Sequence, residues 1–478
     1  MRLSALLTVR FFSNRKEIFK PPFSRSAASR VGKTGLNLSL VAACRAAFIC
    51  GLLFSLFLCG SALAQQPFEF GGFLEESGQF FARKPNPSDA YATGAAHFQL
   101  WSRAKLNSRI SWRGQVDFRI DTHRNVDRNR WADFSDRGLR QPAGELSEFY
   151  LDMKLGRVDL RAGKQEIRWG RADGFNPADN IIPYDYLDTF ADQRSAVPAL
   201  KADAYVGKAR FEAAWVPFYT PTRLPLLGER WFPGLPATTQ AAIVPGQPPS
   251  TVDLSYRDVG GPLPARTFAN GQWGVRWNQL VPRAEFSLSY FDGFDDLAYF
   301  QTSAVPVAIV PRPRLQVSLS REYYRVHVIG ADFASQYGPF GVRGEMAYFD
   351  QTDPANLDHL LFVLGLDRTW GDWFAIVQYA GQKVSGHVAN TAVFPDLGLR
   401  SSLICRIERT LGPARSFEVK GVLRLLDGDF FLQPLYSIAL ANKWRLKIGG
   451  TLFAGPKDSY LGQFRDNSHL LVQLRYTF

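Results

Sequence analysis

From about residue 69 to its last residue the chain alternates apolar and polar positions with a period of two. In the run from Trp112 to Asp121 the even positions are apolar or small, and the odd positions are polar or charged. Phe149–Leu155, Phe417–Lys420 and Trp444–Ile448 repeat the pattern. This is the period of a β-strand, whose successive side chains leave opposite faces. One face asks for an apolar medium. The other carries more charge than a dry core accepts. The alternating runs commonly reach about ten residues, the length a tilted strand needs to cross a bilayer.

Connection lengths alternate as well. Tight links fall at Leu106-Asn107-Ser108, Leu155-Gly156-Arg157, Val206-Gly207-Lys208, Leu280-Val281-Pro282, Tyr337-Gly338-Pro339, Trp370-Gly371-Asp372, Leu411-Gly412-Pro413 and Ala441-Asn442-Lys443. Longer polar or Pro-rich segments lie near 122–143, 171–195, 219–269, 294–320 and 385–400, and only Leu426–Asp429 is short where a long link is due. Short periplasmic turns and long outer loops define a transmembrane up-and-down antiparallel β-barrel, and the segments count to about 18 strands, with 16 as the fallback. The first strand is expected near Glu69–Phe81, paired with the last. The Pro-rich loop 219–269 is the longest candidate for folding into the lumen. The final run ends in Tyr476-Thr477-Phe478 with Leu470, Val472, Leu474, Tyr476 and Phe478 on one face. Such a strand resembles the signal by which barrel-assembly machinery recognises its clients.

Composition adjusts this picture. The chain has 478 residues, 46% of them hydrophobic, and a formal net charge of +12. Residues 1–64 hold nine of the 56 Lys and Arg and one of the 44 Asp and Glu, so residues 65–478 keep an excess of only four positive charges. A nucleic-acid partner therefore loses its electrostatic support. The basic stretch, the apolar run Ala46–Leu58 and Ala62-Leu63-Ala64 before Gln65 have the layout of a signal peptide, giving 1–64 as targeting segment and 65–478 as barrel. Cys59 lacks the small preceding residues of a lipoprotein site. Cys44, Cys50 and Cys59 belong to the leader, which leaves Cys405 with no partner for a disulfide or metal cluster.

Inward parity nominates pore-lining residues: Arg103, Arg113, Arg119, Lys164, Arg168, Lys420, Arg424, Arg445, Lys447 and Arg475. Opposite charges on neighbouring strands neutralise many such bases, but the last strands carry a clear basic excess, which favours anions. Trp215, Trp231, Trp273, Trp277, Trp370, Trp373 and Tyr476 suit interface girdles. Trp101 and Tyr150 have inward parity and are the better candidates for cargo contact.

The segment Leu160–Asn180 is less generic. A parity switch at Gly163 suggests a β-bulge, after which Lys164, Glu166 and Arg168 would face the lumen and Ile167 and Trp169 would face outward. Gly170 and Gly174 permit sharp turns, and Asn176-Pro177 marks another. The motif reads first as a device that pins a loop inside the barrel, and second as a cargo contact. Its residues Gly163, Gln165, Trp169, Gly170, Asp173, Gly174, Asn176 and Pro177 resemble those of a family of Gram-negative outer-membrane porin-like barrels of unknown or export-related function. They resemble alginate-export barrels more loosely. The resemblance implies an outer-membrane channel for a hydrophobic molecule or an anionic polymer, working with a periplasmic or inner-membrane export partner among membrane lipid and lipopolysaccharide.

Asp173, Asn176 and Asp179 lack the spacing of a calcium loop, and no cofactor or metal is expected. The six histidines lie in no Gly-x-Ser-x-Gly or His-Glu-x-x-His context, so the reading is a channel rather than an enzyme. The competing reading is a loop-plugged surface barrel with a structural or adhesive role.

Overall fold

The computed structural model describes residues 68–85, 89–132, 135–187, 193–241, 248–308, 312–352, 358–385 and 401–478. The expected targeting segment, three cysteines and most of the 385–400 loop lie outside the described residues. Eighteen strands form one antiparallel ring: β1 (Glu69–Phe81), β2 (Ala92–Lys105), β3 (Ile110–Asp121), β4 (Gln141–Leu155), β5 (Val158–Gln165), β6 (Val197–Val206), β7 (Ala209–Val216), β8 (Gln272–Val281), β9 (Ala284–Phe294), β10 (Arg325–Tyr337), β11 (Phe340–Gln351), β12 (His359–Trp370), β13 (Trp373–Val384), β14 (Ser402–Thr410), β15 (Arg415–Arg424), β16 (Phe430–Ala441), β17 (Trp444–Ala454) and β18 (His469–Thr477). β1 pairs with β18 from Phe73↔Thr477 to Phe81↔His469 and closes the ring, so no sheet edge is left open. Phe478 extends the closure through two backbone bonds with Gly72.

The tight links all connect strands at one rim, and the long loops all rise from the other. The link 425–429 is indeed the short one among the long-loop set. Outside, Phe70, Leu74, Ile120, Phe211, Leu288, Ile329, Leu364, Val377, Ile448 and Leu470 are exposed, as an apolar band facing lipid requires. Trp215, Trp273 and Trp370 are exposed on that surface too.

Three expectations need correction. First, no register shift occurs at Gly163: its strand pairs continuously from Leu155↔Val158 to Phe149↔Lys164. The switch comes instead from a φ of 130° at Gly163, where a Cβ would lie 2.2 Å from the Phe149 carbonyl oxygen. Second, Ile167 and Trp169 do not face outward. Both are buried inside the ring with Ile181 and Ile182, against Val216, Phe291, Val328, Ala347 and Leu361 of the inner wall. Third, loop 219–269 folds inward only in its first part, where Tyr219, Arg223 and Leu224 are buried. Its segments Thr238–Ala241 and Ser250–Gly260 join Arg314–Glu322 and Tyr299–Ala308 in a separate four-stranded sheet beyond the rim.

The earlier part of the same loop crosses the mouth. Leaving β7, it reaches β1, β17 and β18 on the far side. There Trp231 packs against Phe81, Phe453, Phe464 and His469. Trp231 is therefore a mouth residue and not part of a girdle, because its ring finds an apolar seat inside the rim. Arg230 donates to the carbonyls of Arg83 and Ala90 and to Asn467.

Candidate functional site

The folded loop 166–187 leaves β5 and runs along the inner wall across β8–β14. Its anchor is Glu345 on β11. One carboxylate oxygen accepts the N–H groups of Arg171 and Ala172 at 2.9 and 3.1 Å, and the other accepts that of Ala178 at 2.8 Å. Gly170 makes this approach possible: its φ is 90°, and a Cβ there would lie 2.6 Å from both Glu345 oxygens. Arg171 continues along the wall to Asp332, Ser287 and Asn278, while Arg343 donates to the Arg171 carbonyl at 3.2 Å. Asp173 takes Arg406 of β14 at 2.7 Å. Ala178 sits over Gly330, where a Cβ would meet its methyl at 3.0 Å, and Trp169 sits over Gly274.

Asp179 is buried, accepts the Trp169 N–H at 3.0 Å and pairs with Arg194 at 3.0 Å. Burial pushes its carboxyl up to about 6, against the pull of Arg194. Two of the three oxygen-bearing residues considered for calcium are thus held by arginines. Gln165 donates to the carbonyl of Ala199 at 2.9 Å and fixes the root of the loop. Asn176, Pro177 and Gly174 shape the turn between the Glu345 contacts, with Asn180 donating to the Pro177 carbonyl.

Next to this root lies a buried charge network. Arg223, from the mouth-crossing segment, holds Asp185 at 2.9 Å and Glu145 at 3.3 Å. Arg119 holds Glu145 at 2.9 Å, and Lys164 holds Asp136 at 2.7 Å. Burial raises the Asp136 carboxyl, and the carboxylates around Arg223 raise its guanidinium further against the cost of burial. Arg119 and Lys164 are therefore both held in largely buried ion pairs. Arg424 likewise: it is buried against Asp429 and Asp427 and secures the short loop. Arg168 pairs with Glu166 at 2.6 Å beside a polar cavity of about 210 Å³ that Lys201, Arg210, Glu212 and Arg276 also line.

The opposite wall keeps its bases. Lys420 pairs with Glu418 at 3.3 Å and is 44% exposed. Arg475 pairs with Glu75 and is 40% exposed. Arg445 stands directly opposite Arg475 in register and donates to Ser437, while Lys447 faces Gln473. Among the described residues neither Arg445 nor Lys447 forms a salt bridge. Two guanidinium groups facing each other across a strand pair repel, which an anion between them relieves. Nearer the short-link rim, Arg103 faces Arg113 across β2 and β3, with Glu69 and Glu148 as partners and the Trp101 ring between them. Tyr150 lies under Arg161, whose carbon centre is 4.2 Å from the ring.

The residues missed by sequence reasoning are Glu345, Arg171 and Arg223 as organisers. A visible signal existed for the first two: a lone acid at inward parity in β11, and an arginine directly after Trp-Gly. Arg223 stands in a loop with no period to interpret. His97 and Ser147 both contact Asp117, so the acid sits between them and they form no nucleophile–base pair.

A closed 18-stranded antiparallel barrel with a loop folded against its inner wall is a porin-like β-barrel fold. The chain belongs to the family described as protein of unknown function DUF1302, which matches residues 101–390. A comparison with curated proteins finds no match. Among solved structures it is similar to OccAB4 of Acinetobacter baumannii, with a TM-score of 0.48, 10% identity and coverage of 87% of this chain and 98% of that one. It is similar also to OccK3 (OpdO) of Pseudomonas aeruginosa, with a TM-score of 0.47, 10% identity and coverage of 86% and 96%. For a BenF-like porin from Pseudomonas fluorescens Pf-5 the values are 0.47, 8%, 87% and 99%.

Proposed function

We propose that this barrel resides in the outer membrane of a Gram-negative cell and conducts anionic solutes between the folded loop and the basic wall of β15–β18. The observation that carries the reading is asymmetry. The loop occupies the inner wall of β8–β14 and pairs its charges there, Arg171 with Asp332 and Asp173 with Arg406. The wall it leaves open presents Lys420, Arg445, Lys447 and Arg475 against Glu418 and Glu75. A pore lined by an excess of bases selects anions. An acidic polymer of the alginate kind is one cargo with that charge. The Phe478 strand is the segment offered to the assembly machinery, and the outer band meets lipid and lipopolysaccharide.

The mouth-crossing segment favours a second element in the reading: the channel is gated from its long-loop side. The test is efflux from liposomes holding the refolded chain, residues 65–478, with size-matched anionic, neutral and cationic solutes. Faster anion passage, reduced in R445Q/K447Q, is the expected result. Equal rates for all three solutes would overturn the anion path, and no passage even after removal of the crossing segment would favour a structural barrel.

A further inference from the structure

The outer wall carries one group that lipid does not accept. Glu76 stands at an outward position well inside β1, between Leu74 and Phe80, and is exposed. Its cross-strand neighbours are Ala96 of β2 and Leu474 of β18, both apolar. The other outward charges among the described residues, such as Asp350, Arg368, Lys383 and Arg409, lie within two residues of a strand end, where a long side chain reaches the head groups. Among the described residues Glu76 takes part in no hydrogen bond or ion pair. A carboxyl facing lipid alone is costly, and an ionisable group at that depth calls for a partner.

Beside it the wall is bare. Gly78 and Gly94 stand opposite each other, one outward step from Glu76 toward the long-loop rim. Crowding inside the barrel requires neither of them. A Cβ at Gly78 would come no nearer than 3.4 Å, to the Phe80 ring, and one at Gly94 would meet only the Ser77 carbonyl oxygen, at 3.7 Å. Neither has a positive φ. Glycine weakens a strand interior, and one use that repays the loss is to admit another chain closely. Ala96 continues the recess, and Phe80, Ile120 and Leu470, each more than half exposed, stand around it. A recess ringed by projecting apolar side chains has the relief of a packing surface.

We infer that this face is a contact between two copies of the barrel, on a two-fold axis that passes beside Glu76. Copies inserted by the same route share one orientation, so the axis runs along the membrane normal. It then sets each residue against residues at its own depth. At the depth of Glu76 the outer wall offers no base and no other acid among the described residues, so only the second Glu76 answers the first. Two carboxyls that meet in lipid pair as acids, each O–H donating to the other's carbonyl oxygen, and no charge is left exposed. The same patch serves both partners, as a two-fold contact requires. The glycines let the two walls approach closely enough for so short a pair. Nothing in this contact depends on what the lumen carries.

The test is cross-linking of the refolded chain, residues 65–478, in liposomes with a short bis-maleimide, on a Cys405→Ser background. Cysteine replaces either Leu74, on the face of Glu76, or Leu364, exposed on the far wall. Leu74→Cys should give cross-linked dimer about tenfold faster than Leu364→Cys. Adding E76L should remove that advantage, and so should G94F, which fills the recess. Adding E76Q should keep it, because two amides donate and accept across the axis as two acids do. Heat-dependent gel mobility shows that each variant is a closed barrel. Equal rates at the two cysteines would overturn the contact. An advantage that survives E76L would overturn the role of the acid. E76Q behaving as E76L would mean that a base faces position 76, and would overturn the pairing of like copies. Mass photometry of the same membranes cast into nanodiscs should give the mass of two chains for the parent protein and of one for E76L. Three chains, or one for the parent, would contradict the two-fold axis.

Discussion

Glu345→Ala is the sharpest perturbation of the folded loop. The carboxylate accepts three backbone N–H groups from the loop, at 2.8–3.1 Å, in a buried setting. Hydrogen bonds to a charged group contribute roughly 1.5–3 kcal/mol each, and the substitution leaves all three donors without their acceptor. Three such bonds, discounted for non-additivity, amount to about 4 kcal/mol of loop anchoring. That corresponds to about three decades in the equilibrium between docked and released loop. The ring itself is untouched, because Glu345 points inward and the β10–β11–β12 pairing is made by backbone. Amide exchange followed by mass spectrometry on segment 168–180 is the assay. Protection there should fall by about two to three decades while protection in β8–β12 stays put, and single-channel conductance should rise. Unchanged protection in the loop peptide would show that the apolar seat of Ile167 and Trp169 holds the loop alone, and the anchoring argument would fail.

Other outcomes follow from the same geometry. Gly170→Val forces a Cβ into the Glu345 oxygens at a φ of 90° and should weaken loop docking by about 1–3 kcal/mol, seen as faster proteolysis of the loop. Arg223→Ala strips a buried cation from Glu145 and Asp185, and should cost about 3–5 kcal/mol and loosen the crossing segment, raising conductance. Glu229, paired with Arg140, has its carboxyl raised by burial from an ordinary 4.5. A raised folded-state value means that its contribution is fully present below the unfolded value and is lost as pH rises through the folded one. The crossing segment should therefore hold more firmly at pH 4 than at pH 7, and E229Q should remove that difference in pH-dependent conductance.

The ring was legible in the sequence because two codes agree. Alternation marked the strands, and Gly156, Gly207, Gly338 and Gly371, all at positive φ, marked the tight links between them. The direction of the motif was not legible. Ile167 and Trp169 continue an apolar alternation, and an outward strand facing lipid needs the same residue types as a loop facing an apolar inner wall. Only Gly163, with its left-handed backbone, separates the two, and a parity switch has the same appearance whether a bulge or a dihedral causes it. Trp231 shows the same degeneracy at the mouth. The basic wall was legible by parity, but parity does not say which bases are already spent: Lys164 on Asp136, Arg119 on Glu145 and Arg424 on Asp429 are found only in three dimensions.

The central claim is a conducting path along the Lys420–Arg475 wall. Planar-bilayer recording of the refolded chain in a KCl gradient tests it most directly. The account predicts discrete conductance steps with a reversal potential on the anion side, moved toward zero by R445Q/K447Q. Cation-selective steps, or a folded barrel that never conducts even with the crossing segment removed, would contradict it.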